Sequence, residues 1–209
     1  MKSIENIIFD LGGVIINLDL QRSISAFNQL SEVPFESIYT QAKQSSLFDE
    51  LDKGKLGAES FFRQLRHELN YQGPEETLLQ AWNAMLLDVP EHRLDLLVQV
   101  KQNYRSFLLS NTCEPHISAF ERQLYLEHGV KNFEDYFDRV YYSCRLGLRK
   151  PELAIFKRVL DENGLEADKT VFIDDSIQHV KAAGECGINA YLLPKGMEVA
   201  ELLKQLSLL

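Results

Sequence analysis

Three acidic side chains follow short apolar segments of this sequence, and their types suggest one shared site. Asp10 directly follows the apolar residues 7–9, and Asp174 and Asp175 directly follow the apolar residues 171–173. Adjacent carboxylates after an apolar strand repel each other unless a cation lies between them. Mg²⁺ prefers such oxygen ligands, and it usually keeps positions for water and substrate phosphate. The acids therefore predict a magnesium site, although each acid alone could simply end a strand or cap a helix.

Two further polar segments offer donors and a positive charge. Residues 110–112 read Ser-Asn-Thr after an apolar run, and residues 149–152 read Arg-Lys-Pro-Glu at the start of a helical pattern. Hydroxyl and amide groups donate to phosphate oxygens, and a lysine neutralises a phosphoryl group that would otherwise repel an attacking carboxylate. Such an attack forms an aspartyl-phosphate, which water then cleaves. The alternative is that Ser110 to Thr112 is a helix N-cap and that Lys150-Pro151 is an ordinary helix start.

Short apolar segments that alternate with helical patterns predict how these groups come together. The sequence predicts strands at 4–9, 106–109, 139–142, 170–173 and 189–193, and helices at 91–103, 152–163, 177–186 and 199–206. Strands alternating with helices indicate βαβ units and a parallel sheet. Ligands bind outside the carboxyl ends of the strands in such sheets, which is where every polar segment described above falls.

A long interval between the first two strands interrupts this alternation. From about Leu20 to Val89 the sequence has helical patterns and no convincing strand, and residues 54–57 are predicted to form a turn between two of these helices. We therefore predict an α/β fold, with a Rossmann-like parallel sheet core formed by residues 1–16 and 90–209 and an inserted α-helical cap formed by residues 17–89. The cap core is predicted to contain the aromatic residues Phe48, Phe61, Phe62 and Trp82.

Four segments in this order resemble the four motifs of the haloacid dehalogenase (HAD) superfamily. They are FDLGGV, LLSNT, GLRKPE and VFIDDS, and the helical insertion falls where that superfamily has its first type of cap. The resemblance covers the whole predicted core. Any one of the motifs is weak, but four in order with suitable spacing form a specific pattern.

The resemblance implies a role for each motif residue. Asp10 would be the nucleophile, and Lys150 would be a catalytic and phosphate-binding residue. The metal ligands would be the carboxylates of Asp10 and Asp175 and the backbone carbonyl of Gly12, with Asp174 assisting directly or through water. Together with Lys150, the implied phosphate-binding residues are Leu11, Gly12, Ser110 and Asn111. The expected cofactor is Mg²⁺, and the expected partner is a small phosphorylated metabolite.

Gly12 departs from the superfamily pattern. Phosphatases of the superfamily usually carry a second aspartate at this position, which protonates the leaving oxygen and later activates water. General acid–base catalysis is typically worth about 10²–10⁴-fold in rate. The DLG form resembles a subgroup that includes α-D-glucose-1-phosphate phosphatases, and an anomeric oxygen needs less protonation than a plain alkoxide. We therefore expect a sugar 1-phosphate or a similarly activated phosphoester, with Asp19 as a candidate displaced acid or substrate contact.

Two other functions are compatible with these residues. A 2-haloacid dehalogenase attacks carbon with the same aspartate and needs no metal, which makes the Asp174-Asp175 pair hard to explain. A non-catalytic protein that binds a phosphorylated ligand would account for Gly12. Magnesium-dependent hydrolysis of a phosphomonoester explains more of the residues than either alternative.

Charge and composition narrow the partners. The net charge is −9 in a chain of 209 residues, which argues against a nucleic acid partner because phosphate backbones require clustered lysine and arginine. No segment approaches the roughly 20 apolar residues of a membrane span. The three cysteines form no metal-ligand or disulfide pattern, so a cytoplasmic setting is expected. The sequence does not indicate an oligomeric state.

Three residues lie in or shortly after the motif segments. His179 is expected to lie beside the metal site or at the surface rather than to bind the metal. His116 follows the Ser-Asn-Thr segment and could reach the pocket, but an exposed helix position is the default expectation, and Cys113 is expected to be a small packing residue.

Overall fold

The computed structural model describes residues 3–39 and 46–209, and a parallel five-stranded sheet forms the centre of the described part. The strands are β1 (Asn6–Phe9), β2 (Arg105–Ser110), β3 (Arg139–Tyr142), β4 (Thr170–Asp174) and β5 (Asn189–Leu192). Their order in the sheet is β3-β2-β1-β4-β5, and all neighbouring strands are parallel. The predicted α/β class with a parallel sheet is therefore confirmed.

Helices precede and follow these strands along the chain. The helices of the expected cap are α1 (Leu20–Leu30), α2 (Ser46–Asp52), α3 (Ala58–Glu68) and α4 (Glu75–Asn83). Those that follow are α5 (Glu91–Lys101), α6 (Glu114–His128), α7 (Ser143–Leu146), α8 (Leu153–Asn163), α9 (Ile177–Glu185) and α10 (Val199–Gln205). Short 3-10 turns occur at Phe35–Ser37, Phe133–Tyr136 and Ala167–Lys169.

The sheet is buried on both faces, as the apolar runs in its strands predict. Along β1, Ile7 and Phe9 belong to one apolar cluster and Ile8 belongs to another, because successive side chains point to opposite faces. The strand bounds differ slightly from the prediction: Ile4 precedes the first strand, whereas Asp174 is the last residue of β4.

The strand order determines which polar residues become neighbours. Phe9 at the end of β1 lies in register with Leu108 of β2 and with Ile173 of β4. Asp10 therefore emerges between the carboxyl ends of β2 and β4, next to Ser110 and Asp174. The backbone N–H of Asp10 donates to the carbonyl of Ile173 at 2.9 Å, which holds Asp10 against β4.

The helices α1 to α4 share an apolar core of their own. Phe48, Phe61, Phe62 and Trp82 all belong to this cluster, as predicted, with ring centroids 5.1–5.8 Å apart in the contacting pairs. The turn predicted at residues 54–57 lies between α2 and α3. Residues 40–45 of the expected cap lie outside the described part, and the proposed boundaries at 16/17 and 89/90 stay a prediction.

Two chain segments that run alongside each other connect the sheet to the α1–α4 cluster. Leu18 and Leu86 form an antiparallel bridge, the N–H of Asp19 donates to the carbonyl of Met85, and the N–H of Leu87 donates to the carbonyl of Asn17. These backbone contacts bring the beginning and the end of the helical insertion together beside the carboxyl end of β1.

Two predictions about the setting of the protein concern cysteines and membranes. Cys113, Cys144 and Cys186 are all free thiols, and Cys113 packs in the α1–α4 cluster as predicted. Among the described residues, the helices are too short or too polar to cross a bilayer. The cytoplasmic setting stays a prediction.

Candidate active site

A buried lysine links two of the predicted acidic residues. The Nζ of Lys150 lies 2.7 Å from Oδ1 of Asp10 and 2.6 Å from Oδ2 of Asp174, and its side chain is 0% exposed. The sequence separations are 140 and 24 residues, so the fold creates this contact. A buried ammonium is stable only when its charge is paired, and these two carboxylates provide that pairing.

The acidic residues carry more negative charge than one lysine compensates. Burial raises the pKa of Asp10, and the nearby Asp174 and Asp175 raise it further against the opposing effect of Lys150. Partial burial and then Asp174 raise the pKa of Asp175 to about 6. A further positive charge at this position would restore the ionised form of both carboxylates.

The geometry of the three acids fits a divalent cation. One carboxylate oxygen from each of Asp10, Asp174 and Asp175 lies within 4.8 Å of the other two. Such a set of hard oxygen donors suits Mg²⁺, and the raised pKa values show that the set is electrostatically incomplete by itself. The residues present therefore fit the predicted cofactor.

Gly13 allows Asp175 to approach the Asp10 loop. Its φ of 74° lies in the left-handed region, and a Cβ at this position would lie 2.3 Å from Oδ2 of Asp175. Both the backbone conformation and the space require glycine here. The glycine at position 13 of the first motif therefore leaves the space that the carboxylate of Asp175, more than 160 residues away in the sequence, occupies.

Asp174 is almost fully satisfied by protein groups. Besides Lys150, its carboxylate accepts from the N–H of Ser176 at 2.8 Å, and Nδ1 of His179 lies 3.0 Å from its Oδ1. Burial raises the pKa of Asp174, but Lys150 and His179 outweigh this and lower it. We interpret Asp174 as the residue that holds Lys150 in place, which leaves Asp10 and Asp175 as the freer oxygen donors. His179 lies beside the acids, as expected.

The polar loop after β2 holds the Lys150 segment. The side-chain amide of Asn111 donates to the carbonyl of Lys150 and accepts from its N–H, both at 2.8 Å. The Ser143 hydroxyl, directly after β3, likewise contacts both backbone groups of Thr112. Within the described part of the chain, the Ser110 hydroxyl has one long contact, 3.5 Å from the carbonyl of Asn111, and Ser110 lines the cavity, so this hydroxyl retains donor capacity for a ligand. The predicted phosphate-binding roles of Ser110 and Asn111 stay predictions, and the structure adds a positioning role for Asn111.

The space beside Gly12 is filled by an apolar side chain. A Cβ at position 12 would lie 2.5 Å from Cδ1 of Leu18, and Leu18, which is 43% exposed, lines the cavity. The place where the superfamily carries its acid is therefore apolar in this chain. The carboxylate of Asp19 caps α1 by accepting from the N–H of Gln21, and Asp19 is not among the described residues that line the cavity. Its role as a displaced acid stays a prediction.

A cavity of about 160 Å³ lies between the acids and the helical insertion. Core residues and insertion residues both line it. From the core come the candidate residues Asp10, Leu11, Gly12, Ser110, Asn111, Lys150 and Asp175, and from the insertion and its connections come Leu18, Tyr39, Asp52, Trp82, Met85 and Leu86. The volume is below the roughly 300–1,000 Å³ of drug-sized pockets, which favours a small ligand.

The expectation that His116 is exposed is wrong. His116 lies on α6 and is 9% exposed, because its ring stacks on Trp82 with centroids 4.8 Å apart. Burial lowers its pKa to about 4. Helical periodicity within α6 alone could not reveal this, since the covering residue comes from the helical insertion.

Sequence analysis also missed the role of Arg149, which precedes the predicted lysine. Its Nη1 lies 3.0 Å from Oδ1 of Asp49, and its Nη2 lies 3.5 Å from Oδ2 of Asp52. Beside this pair, Nζ of Lys53 lies 2.6 Å from Oε1 of Glu152. These ion pairs join α2 of the insertion to the segment that contains Lys150. The only feature of the sequence that could have indicated a role for Arg149 is its position directly before the motif lysine.

The sequence profile described as haloacid dehalogenase-like hydrolase matches residues 7–193, which is most of the chain. A D-ribitol-5-phosphate phosphatase of Bacteroides thetaiotaomicron is 29% identical over 195 residues, which cover 93% of this chain and 94% of the relative. A sesquiterpene phosphatase of Aspergillus oryzae is 24% identical over 204 residues, covering 95% and 94% of the two chains.

Solved structures of HAD family proteins are also similar to this chain. A HAD family enzyme of Bacteroides thetaiotaomicron, in complex with magnesium and inorganic phosphate, superimposes with a TM-score of 0.91 at 32% identity and covers 96% of this chain and 99% of its own. A HAD-like family hydrolase of Porphyromonas gingivalis gives 0.89 at 29% identity, with 98% of both chains covered. An L-2-haloacid dehalogenase at 17% identity and a TM-score of 0.61 shares the fold alone.

Proposed function

This chain belongs to the haloacid dehalogenase-like hydrolase family, and from that premise we propose that it is a Mg²⁺-dependent phosphatase of small sugar or polyol phosphomonoesters. In this proposal Asp10 is the nucleophile, and the phosphoryl group passes through an aspartyl-phosphate. A sugar 1-phosphate is the first candidate substrate.

The observation that carries the proposal is the contact of Lys150 with Asp10 and Asp174. An ammonium 2.7 Å from the carboxylate of Asp10 orients its oxygens, and because Lys150 also lines the cavity we propose that it contacts a bound phosphoryl group. A lysine that only stabilised the fold would not need to be buried among the carboxylates that follow two different strands. The arrangement supports phosphoryl transfer, in which catalysis rests on positioning and charge compensation.

The reaction divides into two displacements at phosphorus. A carboxylate oxygen of Asp10 forms a bond to phosphorus, and the bond from phosphorus to the leaving oxygen breaks. Water then attacks the phosphorus of the aspartyl-phosphate and releases inorganic phosphate and free Asp10. Lys150 and the hydroxyl of Ser110 are proposed to bind the phosphoryl oxygens throughout.

Mg²⁺ supplies charge neutralisation to the phosphoryl oxygens when it is bound. The residues that would hold it are Asp10, Asp175 and the backbone carbonyl of Gly12. Asp174 is proposed to act through Lys150, because its own oxygens already accept from protein donors.

Gly12 and Leu18 bear on the choice of substrate. With an apolar side chain where the superfamily's acid would stand, the leaving oxygen must depart with little protonation by the protein. An anomeric oxygen meets this requirement better than a primary alkoxide, which supports a sugar 1-phosphate. The similarity to a D-ribitol-5-phosphate phosphatase supports a hydroxyl-rich phosphomonoester of similar size, although its leaving group is not anomeric.

A phosphate-release screen tests the proposal. Wild type and Asp10→Asn would be assayed with Mg²⁺ on sugar 1-phosphates, sugar 6-phosphates and polyol phosphates, and folding of the variant would be checked by circular dichroism. We expect turnover by wild type on sugar 1-phosphates, and complete loss in a folded Asp10→Asn variant. Absence of phosphate release from every phosphomonoester would contradict the proposal and leave the non-catalytic alternative.

Removal of metal ions with EDTA distinguishes the proposed phosphatase from the remaining alternative, a 2-haloacid dehalogenase. Activity that survives EDTA would favour metal-independent chemistry at carbon, as in a 2-haloacid dehalogenase. Loss of activity in EDTA with recovery on added Mg²⁺ supports the phosphatase.

A further inference from the structure

His116 is held at the cavity by contacts that orient its ring. Its Nε2 lies 3.2 Å from the backbone carbonyl of Trp82, and the two rings stack at an interplanar angle of 15°. Trp82 is itself fixed, because its indole Nε1 donates to Sγ of Cys113 at 3.4 Å. The imidazole is therefore pre-organised by residues from both the core and the helical insertion.

The partner of Nε2 determines which nitrogen carries the proton. A backbone carbonyl only accepts hydrogen bonds, so Nε2 is the donor. Trp82 lies in the last turn of α4, where carbonyls lack intrahelical partners, and its oxygen accepts from both His116 and the Ser23 hydroxyl. Burial keeps the ring neutral, consistent with its lowered pKa. Nδ1 is then an unprotonated acceptor.

Nothing else in the described residues uses that acceptor. Among residues 3–39 and 46–209, no group donates a hydrogen bond to Nδ1 of His116, and the residue lines the same cavity as Asp10 and Lys150. The helical insertion and its connections contribute the apolar side chains Leu18, Met85 and Leu86 to this lining, together with Tyr39 and Asp52. An oriented acceptor that receives no hydrogen bond from the described residues marks a position in this lining where a ligand donor is favoured.

We propose that Nδ1 of His116 accepts a hydrogen bond from a hydroxyl group on the leaving portion of the substrate, so that His116 selects hydroxyl-bearing phosphomonoesters over apolar ones. This inference rests on the proposed phosphatase function and adds a specificity residue to it. An alkyl or isoprenoid phosphate would fill the same wall but leave Nδ1 without a donor. Sites built to bind a substrate hydroxyl discriminate strongly against analogues that lack it, because their polar groups are left unpaired.

Two substitutions separate the two ring nitrogens. In His116→Gln, the longer amide reaches the Trp82 carbonyl as Nε2 does, but the acceptor at the Nδ1 position is lost. In His116→Asn, the shorter amide oxygen takes the Nδ1 position, but the Trp82 contact is lost. Comparing the two variants therefore distinguishes a hydrogen bond from Nδ1 to the substrate from the structural contact of Nε2 with the Trp82 carbonyl.

The measurement is the ratio of kcat/KM for a sugar phosphate to kcat/KM for an alkyl phosphate of the same carbon number. We expect His116→Gln to lower this ratio by about tenfold, the usual scale for one lost hydrogen bond, while His116→Asn retains most of it. Inhibition by inorganic phosphate should be unchanged in both variants, because phosphate contacts the loops after the strands. Unfolding temperatures confirm that both variants fold.

Three outcomes would overturn the inference. The ratio in His116→Gln could equal that of wild type, both variants could lose discrimination equally, or wild type could prefer the alkyl phosphate. All three leave the phosphatase function intact, since the alkyl phosphate is still hydrolysed. Failure of wild type to hydrolyse either ester would overturn the proposed function, and this inference with it.

Discussion

At the scale of single residues, position 12 decides how the leaving group departs. Leu18 occupies the space beside Gly12, and the flexible end of this leucine is the atom that a new side chain would meet. Gly12 itself does not have a positive φ, so its backbone tolerates other residues. An acid can therefore be introduced by changing two neighbouring side chains.

The double variant Gly12→Asp/Leu18→Ala should gain activity on esters with poor leaving groups. A general acid is typically worth about 10²–10⁴-fold, and imperfect placement should leave a gain of about tenfold for an alkyl phosphate. Little gain is expected for p-nitrophenyl phosphate, whose leaving oxygen needs no proton. The matched control is Gly12→Asn/Leu18→Ala, which has the same shape without a transferable proton. Equal rates in the two double variants would contradict this account.

Gly13 provides a second prediction at this scale. Gly13→Ala should weaken Mg²⁺ binding by about 10–100-fold, the range seen when groups that orient metal ligands are changed, because the new methyl group displaces the Asp175 carboxylate. Gly129→Ala is the control, since Gly129 has a similar φ of 68° but no atom within 4 Å of a new Cβ. Mg²⁺ affinity can be measured by titration calorimetry. Equal affinities in the two variants would show that Gly13 does not position Asp175.

Residues at strand ends were predictable, whereas residues that depend on the helical insertion were not. Asp10 and Asp174 follow apolar strands, and parallel strands present their carboxyl ends at one edge of the sheet. Leu18 and His116 owe their positions to contacts that no local pattern encodes, such as the bridge of Leu18 with Leu86 and the stacking of His116 on Trp82.

At the scale of elements, α2 is joined to the catalytic edge by charge. Arg149 pairs with Asp49, and Lys53 pairs with both Asp49 and Glu152, at distances of 2.6–3.0 Å. Gly54 also lies directly against the core, because a Cβ there would be 1.9 Å from the carbonyl of Cys144. These contacts fix α2 against the segment that carries Lys150, and Arg149 within this set also lines the cavity.

Breaking the ion pairs of Lys53 should weaken substrate binding more than stability. Lys53→Met removes the contacts with both Asp49 and Glu152, and partly exposed pairs are worth about 0.2–1 kcal/mol each. We expect KM to rise about twofold to fivefold with kcat nearly unchanged. Arg63→Met is the control, since it breaks an exposed pair with Glu59 inside α3. If both variants had the wild-type KM, the charged contacts would not contribute to closure.

At the scale of the whole molecule, uncompensated acids couple stability to pH and Mg²⁺. The pKa of Asp175 rises from an ordinary value of 3.8 to about 6 on folding, and that of Asp10 also rises. At these two carboxyl groups the folded protein therefore holds more protons than the unfolded chain in this range, so their contribution to stability falls as pH rises through it. The lowered pKa values of His116 and His179 have the opposite sign and offset part of this decrease. The lowered pKa of Asp174 acts only at lower pH, where its stabilising effect is lost on acidification.

We predict that the unfolding temperature in EDTA decreases between about pH 4 and pH 7, and that excess Mg²⁺ removes most of the decrease. Asp175→Asn should flatten the slope in EDTA, because the amide does not ionise. Calorimetric scans over this range provide the measurement. An unfolding temperature that rises with pH in EDTA would contradict the electrostatic description of the site.

The parallel sheet and the helical insertion were predictable because their signals are local: apolar runs for buried strands, and a long helical interval between the first two strands. The way the insertion meets the core was not, because the pairing of Leu18 with Leu86 and the Arg149 ion pairs join segments that are distant in sequence.

The central claim is that Asp10 carries the phosphoryl group. In the most direct test, the enzyme is mixed with Mg²⁺ and a sugar phosphate that it hydrolyses, and the reaction is quenched with acid within one turnover. Peptide mass spectrometry then locates the covalently bound phosphoryl group. The account predicts one acid-stable, hydroxylamine-sensitive phosphoryl group on the peptide that contains Asp10, and none in Asp10→Asn. Release of inorganic phosphate with no label on that peptide, or with label on another residue, would contradict it.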